Sequence, residues 1–118
     1  MIKFGNAAWG FRETPLEKQL RITADMGLEY LELGIANAPN DISLDVQDSE
    51  IERIKEISAQ YGVNILHAAT GNDFTAGIGD VAKVKRVMDI CDKLNIQYLR
   101  IFTGFMPLSE LSETVYAD

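Results

Sequence analysis

The chain has 118 residues, of which 47% are apolar and 25% charged, with a formal charge of −7 and one cysteine. That length builds one domain with a real core. The acid surplus argues against nucleic acid and anionic membrane surfaces, which both require clustered Lys and Arg. One cysteine excludes a disulfide framework and a thiolate metal cluster.

No apolar run approaches the ~18 residues of a membrane span. The opening MIKFGNAAWG lacks the basic region and long apolar stretch of a secretory leader. A cytoplasmic home is the expectation.

In chain order, Ile2 to Ala7 reads as a first strand. Thr14-Pro15-Leu16-Glu17 then opens a helix: Thr14 can cap, Pro15 suits the first helical position and Glu17 can complete a capping box. This helix should run to about Met26, with Gly27 as its left-handed stop. Leu28 to Leu33 is the second strand. Ser49-Glu50-Ile51-Glu52 starts a second helix whose apolar stripe is Ile51, Ile54, Ile57 and Tyr61, ended by Gly62. Val63 to Ala68 is the third strand. Asp80 can cap a third helix, with the stripe Val81, Val84, Val87 or Met88, Cys91 and Leu94, stopped at Asn95. Cys91 falls on that stripe and reads as core. Ile96 to Phe102 is the fourth strand, and Pro107 to Asp118 resembles the start of a further helix.

Strands alternating with helices imply a parallel sheet. The near-constant spacing makes the unit a repeated β-loop-α module. Helix-to-strand joints are a residue or two. Strand-to-helix joints are long: Ala8 to Glu13, Ile35 to Asp48 and Ala69 to Gly79. Those loops all lie at the carboxyl ends of the strands, the face that carries function in parallel α/β folds.

Central strands of an open doubly wound sheet are nearly continuous apolar runs. Here Glu32, His67 and Arg100 stand in or near the strand runs. By alternation, the apolar neighbours of Glu32 and Arg100 face the helices and the two charged residues share the other face. That pattern fits the upper interior of a barrel better than a helix-covered face. Gly77-Ile78-Gly79-Asp80-Val81-Ala82 matches the dinucleotide pattern G-x-G-x-x-A, but about eight loop residues separate it from Ala68, where the fingerprint requires a turn directly after a strand. It reads as a loop leading into a helix.

The strand ends also carry a resemblance. Trp9-Gly10-Phe11 with Pro15 to Leu20, Gly27 to Leu33, Ile65-Leu66-His67-Ala68 and Leu99 to Gly104 are similar, in order and spacing, to the sugar phosphate isomerase/epimerase superfamily, the xylose isomerase-like TIM barrels. The resemblance spans nearly the whole chain but only the first half of that fold. It implies the first half of a (β/α)8 barrel within residues 1–118, a fragment of a longer enzyme that isomerises or epimerises a sugar or polyol. It also implies a divalent metal (Mn, Mg, Co or Zn) in the full-length protein, with ligands and acid/base groups on strands five to eight. Neither the metal ligands nor the catalytic residues are assignable here. What carries over is the substrate-facing wall of Trp9, Glu32, His67 and Arg100. His67 also matches a strand-three zinc ligand of the related apurinic endonuclease branch, but the further histidines of that branch are missing, which disfavours a nuclease.

Each of these residues has a structural reading beside the functional one. Glu32 and Arg100 can form an interior ion pair. Trp9 can pack over the barrel mouth or offer a face to a sugar ring. His67 can be a hydrogen-bonded core histidine, although a strand end before a long loop favours a pocket. Asn72 and Asp73 can reach substrate, with solvated loop residues the plainer identity. Four modules leave two unpaired sheet edges. A longer isomerase, pairing with a second copy through those edges, and a non-catalytic oligomeric or small-ligand-binding α/β module are the three accounts, in that order.

Overall fold

Three helix stops set where the strands begin. The computed structural model describes residues 1–76 and 79–110. Helix α1 covers Leu16–Asp25, α2 covers Asp48–Tyr61 and α3 covers Gly79–Lys93. Just past each end stands a left-handed residue: Gly27 at φ 71°, Gly62 at 66° and Asn95 at 57°. The next N–H groups turn back onto the helix. Leu28 donates to the Thr23 carbonyl at 3.1 Å, Val63 to Ser58 at 3.1 Å and Ile96 to Cys91 at 2.8 Å. This doubled-back cap satisfies carbonyls that the helix leaves without partners.

The helix starts depart from the sequence reading. No side chain caps α1 or α2. The Thr14 carbonyl instead accepts from Gln19 Nε2 at 2.7 Å, and Pro15 marks the boundary. Ser49 and Asp80 lie inside the first turns of α2 and α3 rather than ahead of them. There, Asp48, Glu50 and Asp80 oppose the positive end of the helix dipole.

The strands are β1 (Gly5–Ala7), β2 (Tyr30–Ile35), β3 (Asn64–Thr70) and β4 (Tyr98–Arg100). They form one parallel sheet in the order β1-β2-β3-β4. β2, β3 and β4 begin one or two residues later than their apolar runs, because the cap consumes the first residues of each run. β2 and β3 then extend two residues further, since Gly34-Ile35 and Ala69-Thr70 stay buried. The edge strands are shorter than expected, at three residues each. Ile2 to Phe4 and Ile101 to Phe102 lie outside any ladder among the described residues.

β3 also contains a bulge. Leu31 pairs with Ile65 and Glu32 with His67, so Leu66 is one residue too many. The extra residue resets the alternation. Ile65 and Ala68 both face the helices, where Leu33, Ile35, Ile51, Ile54, Val87 and Ile90 form the main core. A smaller cluster joins Leu20 of α1 to Leu31 and Val63. On α3, Val87 is the buried member of the stripe and Met88 is exposed.

A short 3-10 turn at Phe74–Ala76 separates β3 from α3. Gly77 and Ile78 of the G-x-G-x-x-A match lie outside the described residues. So does most of the helix expected from Pro107 to Asp118, of which a 3-10 turn at Leu108–Glu110 is described. Among the described residues, no helix is long and apolar enough to cross a membrane.

Candidate functional site

The sheet face away from the helices holds the polar strand residues in two rows. The lower row runs Ala7, Glu32, His67 and Tyr98, one residue from each strand. The upper row, one pleat nearer the carboxyl ends, runs Gly34, Ala69 and Arg100. Glu32, His67 and Arg100 are thus brought together as expected of a shared face. Their heights differ from the sequence reading, which put His67 at the strand end. β3 continues three residues past His67 to Thr70, so His67 stands level with Glu32 and Arg100 stands above both.

Arg100 reaches across β3 to Glu32. Its Nη2 donates to Glu32 Oε1 at 3.3 Å and its Nε to Oε2 at 3.5 Å. The intervening residue in the upper row is Ala69, whose single methyl leaves the path clear. The Arg100 guanidinium also lies 5.3 Å from the Phe102 ring. The Glu32 side chain is 21% exposed and that of Arg100 45%, so this is a partly solvated pair worth little in net stability. Beside it, the His67 and Tyr98 rings stack with centroids 5.0 Å apart and planes 22° from parallel. His67 is exposed and paired by an aromatic face, which replaces the core-histidine reading.

Trp9 belongs to a different part of the rim. It lies in the 3-10 turn Ala8–Phe11 that follows β1, is 63% exposed, and is covered by the Arg12 guanidinium at 4.5 Å.

The loop after β2 folds back over the strand ends. Ala36 takes φ 53°, and Ile42 bridges to Ile35. Asp41 Oδ2 accepts the N–H groups of Asn37 at 3.0 Å and Ala38 at 2.8 Å. A Cβ on Gly34 would collide with the Asp41 carboxyl, and one on Gly71 with the Asn37 amide oxygen. The two glycines therefore allow this loop to lie close over the sheet. Sequence reasoning passed over Asp41; its signal was the Asn-Ala-Pro-Asn-Asp run, whose residues favour side-chain-supported turns.

Asn72 and Asp73 organise the next loop. Asn72 is buried, donates Nδ2 to the Phe102 carbonyl at 2.6 Å and accepts the Phe102 N–H at 2.8 Å. Its amide extends the β3–β4 pairing by one artificial step, so it is not a solvated loop residue. Asp73 accepts the N–H groups of Thr75 at 2.9 Å and Phe105 at 3.2 Å, and the Thr75 hydroxyl.

A cavity of about 310 Å³ lies on the open face, bounded by Lys3, Gly5, Ala7, Tyr30, Glu32 and His67 among others. A larger one, about 640 Å³, lies at the amino ends of β2 and β3 beside the last turns of α2 and α3. Chemistry in parallel β/α folds sits at the carboxyl ends; the larger cavity lies at the opposite end, and the smaller one reaches from the amino ends of β1 and β2 up to the row of Ala7, Glu32 and His67. Cys91 takes no part: burial pushes its thiol up to about 11, away from the reactive thiolate.

The donors here do not compose a metal site. Among the described residues, no three of His, Cys, Asp and Glu converge. Glu32 is engaged by Arg100, and Asp41 and Asp73 by backbone N–H groups.

No family description and no curated protein match this sequence. A solved structure does match the fold: a D-psicose 3-epimerase crystallised in the presence of D-fructose, at TM-score 0.58 and 13% identity. The match covers 81% of this chain and 36% of that one. The chain thus spans about a third of the epimerase's length, and its one-sheet, all-parallel topology is that of the first half of a TIM barrel.

Proposed function

We propose that the chain forms the substrate-facing amino-terminal half of a sugar or polyol isomerase/epimerase-like barrel. The observation that carries this reading is the array of Glu32, His67, Tyr98 and Arg100 on the open face of a half-barrel whose fold matches a sugar epimerase. Glu32 offers carboxylate lone pairs to substrate hydroxyls, and Arg100 fixes that carboxylate from above. His67 supplies a ring nitrogen for a further hydroxyl, with Tyr98 holding the imidazole upright. A polyol is satisfied by such a mixture of acceptors, donors and ring faces.

Isomerisation moves a proton next to a carbonyl and needs an acid/base pair with charge stabilisation at the oxygen. The described residues do not fit the divalent metal that such barrels use, so we assign its ligands and the acid/base pair to strands beyond the four present. No reaction step is placed on this half. The cytoplasm is the setting we assign to this enzyme.

The test is heteronuclear NMR of the 118-residue chain titrated with D-fructose and D-psicose, together with a turnover assay in Mn²⁺. Shifts centred on His67 and Tyr98 without turnover are expected. Absence of sugar-induced shifts sinks the substrate-wall reading and leaves a non-catalytic α/β module; turnover by the chain alone sinks the claim that it is half a site.

A further inference from the structure

The loop after β2 continues the sheet for one step. The Ile42 N–H donates to the Gly34 carbonyl at 3.0 Å, and the Ile42 carbonyl accepts from the Ala36 N–H at 2.9 Å, which makes a parallel bridge between Ile42 and Ile35. β3 already holds the other edge of β2 at that level, where Ile35 pairs with Thr70. Residues 41–42 therefore occupy the lane that β1 leaves after Ala7, its last ladder residue beside Glu32. Asn40 ties this loop to the turn after β1, its Nδ2 donating to the Arg12 carbonyl at 2.9 Å. Ile42 is buried in the main core on the helix side, so by alternation Asp41 points to the opposite, open face. Gly34 places it there independently: the space where its side chain would begin, on the open face, holds the Asp41 carboxyl, with Oδ1 nearest. The upper row thus runs Asp41, Gly34, Ala69 and Arg100, above the row of Ala7, Glu32, His67 and Tyr98.

We infer that Asp41 is a further substrate-binding residue of this face, and that the segment of substrate it meets is an uncharged polyol. The carboxylate is set in advance. Its Oδ2 accepts the N–H groups of Asn37 at 3.0 Å and Ala38 at 2.8 Å, which fixes its orientation without using Oδ1. Oδ1 lies over a glycine, so no side chain of β2 stands between it and the space above the strand. An ionised carboxylate oxygen only accepts, and a hydroxyl is the neutral group that donates to it. The Asn37 amide oxygen, which fills the place of a Gly71 side chain, adds a second acceptor toward β3. Charge decides the class of ligand. The Glu32 carboxylate is met by Arg100, whereas Asp41 enters no ion pair among the described residues. The excess charge of this wall is therefore negative, which repels a phosphate or carboxylate and leaves a hydroxyl unaffected. This inference rests on the sugar reading of the face, and names a contact and a substrate class within it.

The test is carboxyl-carbon and amide NMR of the 118-residue chain, titrated with D-fructose and separately with D-fructose 6-phosphate. D-Fructose should shift the Asp41 carboxyl and the Gly34 amide, and the phosphate should bind more weakly than the free sugar. Asp41→Asn keeps an oxygen for the two loop N–H groups and turns the group over Gly34 from acceptor to donor. It should weaken D-fructose binding about tenfold, the scale of one hydrogen bond to a charged group, and narrow the gap between the two ligands. The Asn37 and Ala38 amides of the sugar-free variant should match the parent; should they move, the titration of the parent carboxyl decides alone. Shifts at His67 and Tyr98 with Asp41 and Gly34 unmoved overturn the inference and leave the sugar reading standing. So does an Asp41→Asn variant, its loop intact, that binds D-fructose like the parent. Tighter binding of the phosphate overturns the uncharged class. Absence of shifts at every residue removes the sugar reading and this inference together.

Discussion

Arg100 meets Glu32 over the back of Ala69, two strands away and one pleat down. The pair exists because the residue between them is small. Ala69→Leu should push the guanidinium off the carboxylate. In a double-mutant cycle with Glu32→Gln and Arg100→Lys, the coupling should be under ~1 kcal/mol, as for a partly solvated pair. In an Ala69→Leu background it should fall to about zero. Urea unfolding of the set measures it, and unchanged coupling would show that the path over Ala69 is irrelevant.

Asn72 replaces a strand partner for Phe102, and both of its bonds go to backbone atoms. Asn72→Ala should cost about 1–3 kcal/mol, the penalty for leaving buried polar groups unpaired. Amide exchange at Phe102 should accelerate most. Equal acceleration across β3 and β4 would point to a general loosening instead.

Gly34 has the Asp41 carboxyl where a side chain would begin. Gly34→Ala should displace the loop and cost ~1–3 kcal/mol through overpacking. Pairing it with Asp41→Gly should recover part of the loss. Thermal unfolding of the two single variants and the double reads this out.

Asp48 and Lys93 tie the start of α2 to the end of α3 at 2.5 Å. The Lys93 ammonium, by hydrogen bond and by charge, holds the Asp48 carboxyl below its ordinary range. A depressed carboxylate stabilises the fold above its unfolded pKa and loses that contribution as pH falls through the folded one. Asp48→Asn should therefore lower the melting temperature at pH 7, with the two proteins converging in strong acid below about pH 3. A constant gap from pH 7 to pH 2 would assign the effect to helix-end packing.

Much of the fold was legible because its punctuation is local. Gly27, Gly62 and Asn95 announce helix ends through backbone conformation alone, and the apolar stripes of α2 and α3 follow from helical period. The edges were not legible, since the length of an edge strand depends on a neighbour and not on its own residues. The bulge at Leu66 was hidden for another reason: one extra residue alters the phase of a strand without altering its composition. The site suffered from both. Glu32, His67 and Arg100 stand out as polar residues in apolar runs. Tyr98 and Ala69 do not, because their significance appears only when register sets them beside His67 and between the charged pair.

Trp9, the only tryptophan in the chain, sits at the rim under Arg12 and largely in solvent. Its ultraviolet emission is consequently a signal from the mouth and says little about the core. Denaturation should shift the emission wavelength only slightly, since the indole is already wet in the native state. Anything that settles on the carboxyl ends of the strands, by contrast, should change its intensity while the fold stays intact. The chain carries its own fluorescent probe for that face, read without any label.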